Sequence, residues 1–414
     1  MTFRRWLFWR RRFDTSLLAL TFALLAMAEL LGKGLLVLFA GIGIYLFFGW
    51  HRVRRLASPP FTVAVVVYFV WSTGLSIVRG EPLTDNRQIA YDAIILVSIF
   101  LPLGICLVPH PAKAMALGAR VGVGAVFILT FTMPLSESGR VGLGINEAVF
   151  GFLAAAIGVI SRLPAGRLPA GLATGPAFFY IAAVPAILSG TRAVWPIIIL
   201  IAAFDAIAAL RHMVRAGRAR LAAIAATVAL AAIALSPLPG FVAGRVMEAH
   251  AQLDSFMQGR ELRSSIGVRG AMWQGGLAVI AEHPVIGVGP TKRVEAAAEA
   301  ASMGSEFIRE YLHLHNLILD TALSSGVVGL ILLLAIFGAF LWEVFRGPAD
   351  RQLKETSVAM VFLVFLFGSF HGIFLNEWSL CIIFGFLTVV LTDLRRRTLL
   401  TEARSRLLSA TPGG

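Results

Sequence analysis

YLHLHNLILDTALSSGVVGLILLLAIFGAFLW, residues 311–342, decides the class of this protein. A head with two histidines and an asparagine gives way at Leu317 to an apolar run whose only charge is Asp320. A bilayer core of about 30 Å needs roughly 20 such residues as a helix, so the run reads as a membrane span. The rest of the chain agrees. Of its 414 residues 58% are hydrophobic and only 14% charged, against about 25% charged in soluble domains. A water-soluble globular enzyme is excluded. The net charge of +13 would admit nucleic acid as a partner, but the arginines cluster at the ends of apolar runs and not on one domain, so no nucleic-acid partner is expected. Cys106 and Cys381 sit inside apolar segments and read as packing residues. MTFRRWLFWRRR, residues 1–12, is basic and aromatic with no small-residue cleavage site, and reads as a cytoplasmic anchor.

Working outward gives twelve expected spans, at about 15–31, 33–50, 61–79, 88–108, 113–134, 145–161, 172–189, 193–210, 219–237, 317–342, 355–372 and 376–393. The positive-inside rule tests the alternation independently. With a cytoplasmic N-terminus, the segments assigned to the cytoplasm hold 23 of the 36 Lys and Arg. The short loops of the other face hold five: Lys33, Arg79, Arg87, Arg140 and Arg192. The fold class expected is an all-α polytopic membrane protein of about 12 transmembrane helices, with both termini cytoplasmic. Residues 1–414 form a single membrane domain. One large outer loop, 238–314, is inserted between the ninth and tenth spans, far longer than a connection requires. Its seven basic and eight acidic residues balance, so it is no polybasic headgroup binder. Within it, Trp273, Leu277 and Ile280 recur at helical spacing and predict an amphipathic helix along the membrane surface. HPVIGVGP, residues 283–290, is a turn region, and the stretch after it reads as helical.

The chemistry gathers on the outer face. His313 and His315 are two apart, about 200° on a helix, and do not make the i, i+4 pair of a helical metal site. If the helix extends through His315, then Ala322, Gly326 and Gly329 lie within about 40° of it, and the histidine crowns a small-residue stripe suited to close helix packing. The plain alternative is an interfacial histidine above an ordinary packing face. Arg192, in LSGTRAVWP, and Arg269, in SSIGVRGAMW, stand where the charge bias disfavours cations. Arginine binds phosphate bidentately and stays charged, which suits an anionic lipid-linked substrate. Snorkelling to lipid phosphates is the plain alternative. Glu29, Arg120, Asp205, Asp320 and His371 are further intramembrane polar residues, with His371 a reserve candidate for the site.

His315 and Asn316, nine residues, then Gly326 and Gly329 form HN-x9-GxxG, which resembles the signature of bacterial O-antigen ligases, in a superfamily shared with O-antigen polymerases. SGTR at Arg192, and the run from Arg269 through Trp273 to Gly287 and Gly289 ahead of HxHN, are similar to the same family. The resemblance implies a GT-C-type, metal-independent glycosyltransferase with no cofactor, in the inner membrane of a Gram-negative bacterium. It implies a donor glycan on undecaprenyl diphosphate and a lipid A–core acceptor, joined at the periplasmic face among membrane lipids. His315 would be the catalytic base and Arg192 and Arg269 the diphosphate-binding pair. His313, Asn316, Trp273, Gly287, Gly289, Gly326 and Gly329 would support them. A sugar hydroxyl is a weak nucleophile that a neutral histidine can deprotonate, and a departing diphosphate needs the positive charge that two arginines provide. Two alternatives stay open: an O-antigen polymerase or other lipid-linked oligosaccharide transferase, and a polytopic transporter or flippase.

Overall fold

Long apolar runs make the helices here, and Asn, Asp, Ser or Pro starts most of them. The computed structural model describes residues 3–410 except 83, 85, 137, 138, 166–174, 219, 222, 223, 225–237, 259, 261 and 262, and among these residues there is no strand. The first eight helices are α1 Phe3–Leu24, α2 Glu29–Gly49, α3 Pro59–Val78, α4 Arg87–Gly104, α5 Pro111–Thr132, α6 Glu147–Ser161, α7 Gly175–Leu188 and α8 Trp195–Arg215. Four follow in the large loop: α9 Leu238–Met257, α10 Ser265–Glu282, α11 Arg293–Ala300 and α12 Ser305–Ile308. α13 Leu317–Arg346, α14 Arg351–Gly368 and α15 Glu377–Ala410 are the last of the described helices. Asn146, Ser264, Asn316 and Asp350 each cap a helix by accepting from backbone N–H groups of its first turn.

Seven helices among the described residues are long and apolar enough to cross a membrane: α2, α3, α4, α5, α8 with its leading turn, α13 and α15. α6 and α7 are shorter apolar helices of 15 and 14 residues. α1 carries five arginines and Asp14, and α14 carries Arg351, Lys354 and Glu355, which takes both outside that group. The span expected at 219–237 lies largely outside the described residues. The first two expected spans also divide earlier than their sequence suggests. α1 stops at Leu24, and Glu29 opens α2, where its carboxylate favours the helix N-terminus and pairs with Lys33 at 2.7 Å.

α15 is the centre of the bundle, with 94% of its apolar window buried against 22% in the α8 span. Around it α1–α8, α13 and α14 close one large core. The large loop builds a second, smaller core of its own from Val268, Met272, Val279, Ala297, Ile308 and Leu314, which Leu323 of α13 joins. α10 is a helix where the periodicity predicts one, but its packed face is Val268, Met272, Gly275 and Val279, while Leu277 is exposed.

Candidate active site

The helix expected through His315 does not form. α13 begins at Leu317, and the Asn316 side chain accepts from the Ile318 and Leu319 N–H groups at 3.0 and 3.2 Å. His315 itself has φ +53°, a left-handed backbone that costs an L-residue about 1–2 kcal/mol. The helical rotation that placed it above Ala322, Gly326 and Gly329 therefore does not apply.

Hydrogen bonds from three directions hold this strained stretch. The Leu314 N–H donates to Asp320 Oδ1 at 3.0 Å, and the Leu314 carbonyl accepts from Trp273 Nε1 at 3.2 Å. Arg293 Nη2 donates to the Leu312 carbonyl at 3.3 Å, while its Nη1 reaches Ser324 Oγ at 3.1 Å. Arg293 Nε also lies 3.2 Å from Asp320 Oδ1, and both residues are buried. Asp320 thus ties the first turn of α13 back to the segment before it.

These ties gather three imidazoles. The His315 N–H donates to His313 Nδ1 at 3.1 Å, and the two rings are 4.3 Å apart. An accepting Nδ1 places the His313 proton on Nε2. His371, in the turn after α14, stacks on Phe367 and sits 5.6 and 5.7 Å from the other two rings. Tyr311 meets His315 edge-on at 5.3 Å. His315 Nδ1, His371 Nδ1 and Arg269 Nε are buried and have no hydrogen-bond partner among the described residues. Buried polar groups are nearly always satisfied, so three such atoms in one place make this a candidate binding site. Among the described residues no group of three or more His, Cys, Asp or Glu side chains is arranged to hold a metal ion.

The electrostatics are strongly positive. Burial lowers the His315 pKa to about 3, and the Arg269 charge and His371 add to the shift. Burial and the charges around it take His313 to about 2. Both rings are therefore neutral near pH 7. Burial also lowers Arg269, with the Arg192 charge next in effect, which puts the two guanidiniums in one field. Arg269 stays on α10 by donating to Ser265 Oγ at 2.6 Å. Arg192 follows the SGTR turn, which is tied down in turn. Arg140 Nε donates to the Ser189 carbonyl at 2.6 Å, and Thr191 Oγ1 donates to the Glu147 carbonyl at 3.1 Å.

Gly326 carries a break and not a packing stripe. It has φ 72° and ψ −176° inside α13, and the HPVIGVGP turn inserts there. The Val327 N–H donates to the Pro284 carbonyl at 2.8 Å, and the Val288 and Gly289 N–H groups donate to the Leu323 carbonyl at 2.7 and 3.2 Å. Trp71 Nε1 takes the Ser325 carbonyl at 3.1 Å, and Arg79 Nη1 takes that of Ser324 at 2.9 Å. The Leu323, Ser324 and Ser325 carbonyls at the break thus each meet a donor from outside the helix. A side chain on Gly326 would strike the Val285 carbonyl, and one on Gly287 would strike that of Leu323. One on Gly329 would strike the Ser325 side chain of its own helix.

The structure thus brings His315, His313, Arg269 and Arg192 into one electrostatic neighbourhood, with Trp273 and Asn316 holding the backbone, Gly287 and Gly289 in the inserted turn and Gly326 at the break that receives it. The reserve candidate His371 joins them. Sequence reasoning missed Arg293, Arg79 and Arg140. Arg79 and Arg140 left one signal, since they stand among the five cations in the short loops that the positive-inside rule assigns to the outer face. Arg293 left none.

No curated protein matches the chain. Residues 177–334 match the family model described as O-antigen ligase, a stretch that contains SGTR, Arg269, the inserted turn and HN-x9-GxxG, so over this part the chain is similar to that family.

Proposed function

We propose that the chain is an O-antigen ligase, a GT-C-type transferase that moves a glycan from undecaprenyl diphosphate to lipid A–core oligosaccharide at the periplasmic face of the inner membrane. The observation that carries this reading is the cluster of unpartnered His315 Nδ1 and Arg269 Nε, both inside the matched region, with His371 Nδ1 beside them from the turn after α14. His315, neutral near pH 7, accepts the proton of the attacking sugar hydroxyl. Arg192 and Arg269 hold the diphosphate and stabilise the charge that grows on it as the glycosidic bond breaks. Attack from the side opposite the diphosphate inverts the anomeric carbon. The donor also prepares the base. Its negative charge offsets the Arg269 repulsion that contributes to the low pKa of His315, so a bound donor and a competent base go together.

The acceptor separates ligase from polymerase. A Gram-negative strain lacking its own ligase should regain polymer on its lipopolysaccharide when it expresses this chain. Restored chain lengths on the lipid carrier, with none on lipid A–core, would instead make the protein a polymerase.

A further inference from the structure

Arg79 lies one residue beyond α3, far in sequence from the site, yet its guanidinium reaches both sides of the break in α13. Nη1 donates to the Ser324 carbonyl at 2.9 Å, on the helix side. Nη2 donates to the Ile286 and Gly287 carbonyls at 2.5 and 2.9 Å, on the side of the inserted turn. The turn follows directly from α10, which carries Arg269 and Trp273, while the helix side runs back through Asp320 to the segment that holds His315. Trp71, also on α3, holds the next carbonyl, that of Ser325, at 3.1 Å.

We propose that Arg79 is a positioning residue for glycan transfer, clamping the inserted turn to the broken helix so that Arg269 is held in register with His315. This rests on the function proposed above. The planar fork explains why the residue is arginine. Three carbonyls on two segments converge on it, whereas a lysine ammonium is a compact point charge on a flexible stem and does not reproduce that geometry. The clamp is also additional to the fold. The backbone bonds from Val327 to Pro284 and from Val288 and Gly289 to Leu323 do not involve Arg79, so its loss loosens the register without abolishing the insertion.

The test measures transfer by purified Arg79→Ala and Arg79→Lys, with wild type and His315→Ala alongside, and hydrogen exchange at the Val288, Gly289 and Val327 amides. Misplacement of about 1 Å can cost on the order of a hundredfold. The expected result is a fall in kcat of at least about tenfold for both Arg79 variants, with the donor KM little changed. The three amides exchange faster than in wild type while amides of α15 do not. Added guanidinium restores part of the Arg79→Ala rate. Wild-type kcat in Arg79→Lys, or unchanged exchange at all three amides, overturns the proposal. If Arg79→Ala accumulates poorly, Arg79→Lys alone decides. Full activity in His315→Ala would sink the reading of the site, whereas full activity in the Arg79 variants with His315→Ala inactive sinks only the clamp.

Discussion

At the scale of single residues, the two histidines of HLHN divide their work through one hydrogen bond. His313 Nδ1 accepts the His315 N–H, so His313 is committed to the backbone while His315 Nδ1 remains without a partner. Loss of one such bond costs about 0.5–1.5 kcal/mol. His313→Ala should therefore slow transfer by roughly tenfold or less, where His315→Ala nearly abolishes it; equal losses in a kinetic assay would reverse the assignment. The pH dependence follows from the direction of the His315 shift. A base with a pKa of about 3 in the donor-free site stays deprotonated down to pH 4, so kcat/KM, which reports the free enzyme, should show no acid limb between pH 8 and 5. An acid limb centred near 6.5 would mean that His315 is neither buried nor repelled by Arg269 as described. The candidates His315, Arg192 and Arg269 could be named from the sequence because their motifs are local. The left-handed backbone of His315 was not legible there, since the bonds that hold the stretch around it come from Arg293 and Asp320, which no local motif ties to it. The same holds for the scattered intramembrane charges. Asp205 pairs with Arg162 at 2.6 Å, Glu29 pairs with Lys33, and Arg120 donates to the Ser161 and Leu163 carbonyls at the end of α6. Among these residues Asp320 and His371 contact the candidate site.

At the scale of elements, α13 was legible as a span but not as a broken one. A small-residue stripe and a helix break both call for glycine, and spacing alone does not separate them. Substitution does. Gly326→Ala adds a methyl against the Val285 carbonyl and forces an L-residue to φ 72°, which costs about 1–2 kcal/mol before the clash. It should lower the thermal unfolding temperature and remove transfer, because the inserted turn is expelled from beside Arg79 and Trp71. Gly338 lies further along the same helix with open space where its side chain would be, so Gly338→Ala should leave both measurements unchanged. Equal, mild effects at the two positions would restore the packing-stripe reading. The amphipathic pattern of α10 gave the helix correctly but not its packed face, because Val268, Met272 and Val279 pack on Ala297, Ile308 and Leu314 from later in the chain.

At the scale of the whole molecule, hydropathy carried the helical class, and seven of the described helices are long and apolar enough to cross a membrane. It pointed to an all-helical protein, and the described residues hold no strand; the segment read as one long loop holds four helices around a small core. What it could not give is the way the loop joins the bundle, through an insertion stabilised by backbone groups that leave no mark in composition. The site stands at that joint. α10 brings Arg269, the SGTR turn brings Arg192, the start of α13 brings His315, and the turn after α14 brings His371. The central claim is that this joint transfers a lipid-linked glycan with His315 as its base. The most direct test is transfer by the purified protein in detergent, from a defined undecaprenyl-diphosphate-linked glycan to lipid A–core. Wild type should form the glycosylated product without any ion gradient, and His315→Ala, inserted and accumulated normally, should form almost none. Product formation at the wild-type rate by His315→Ala would contradict the account.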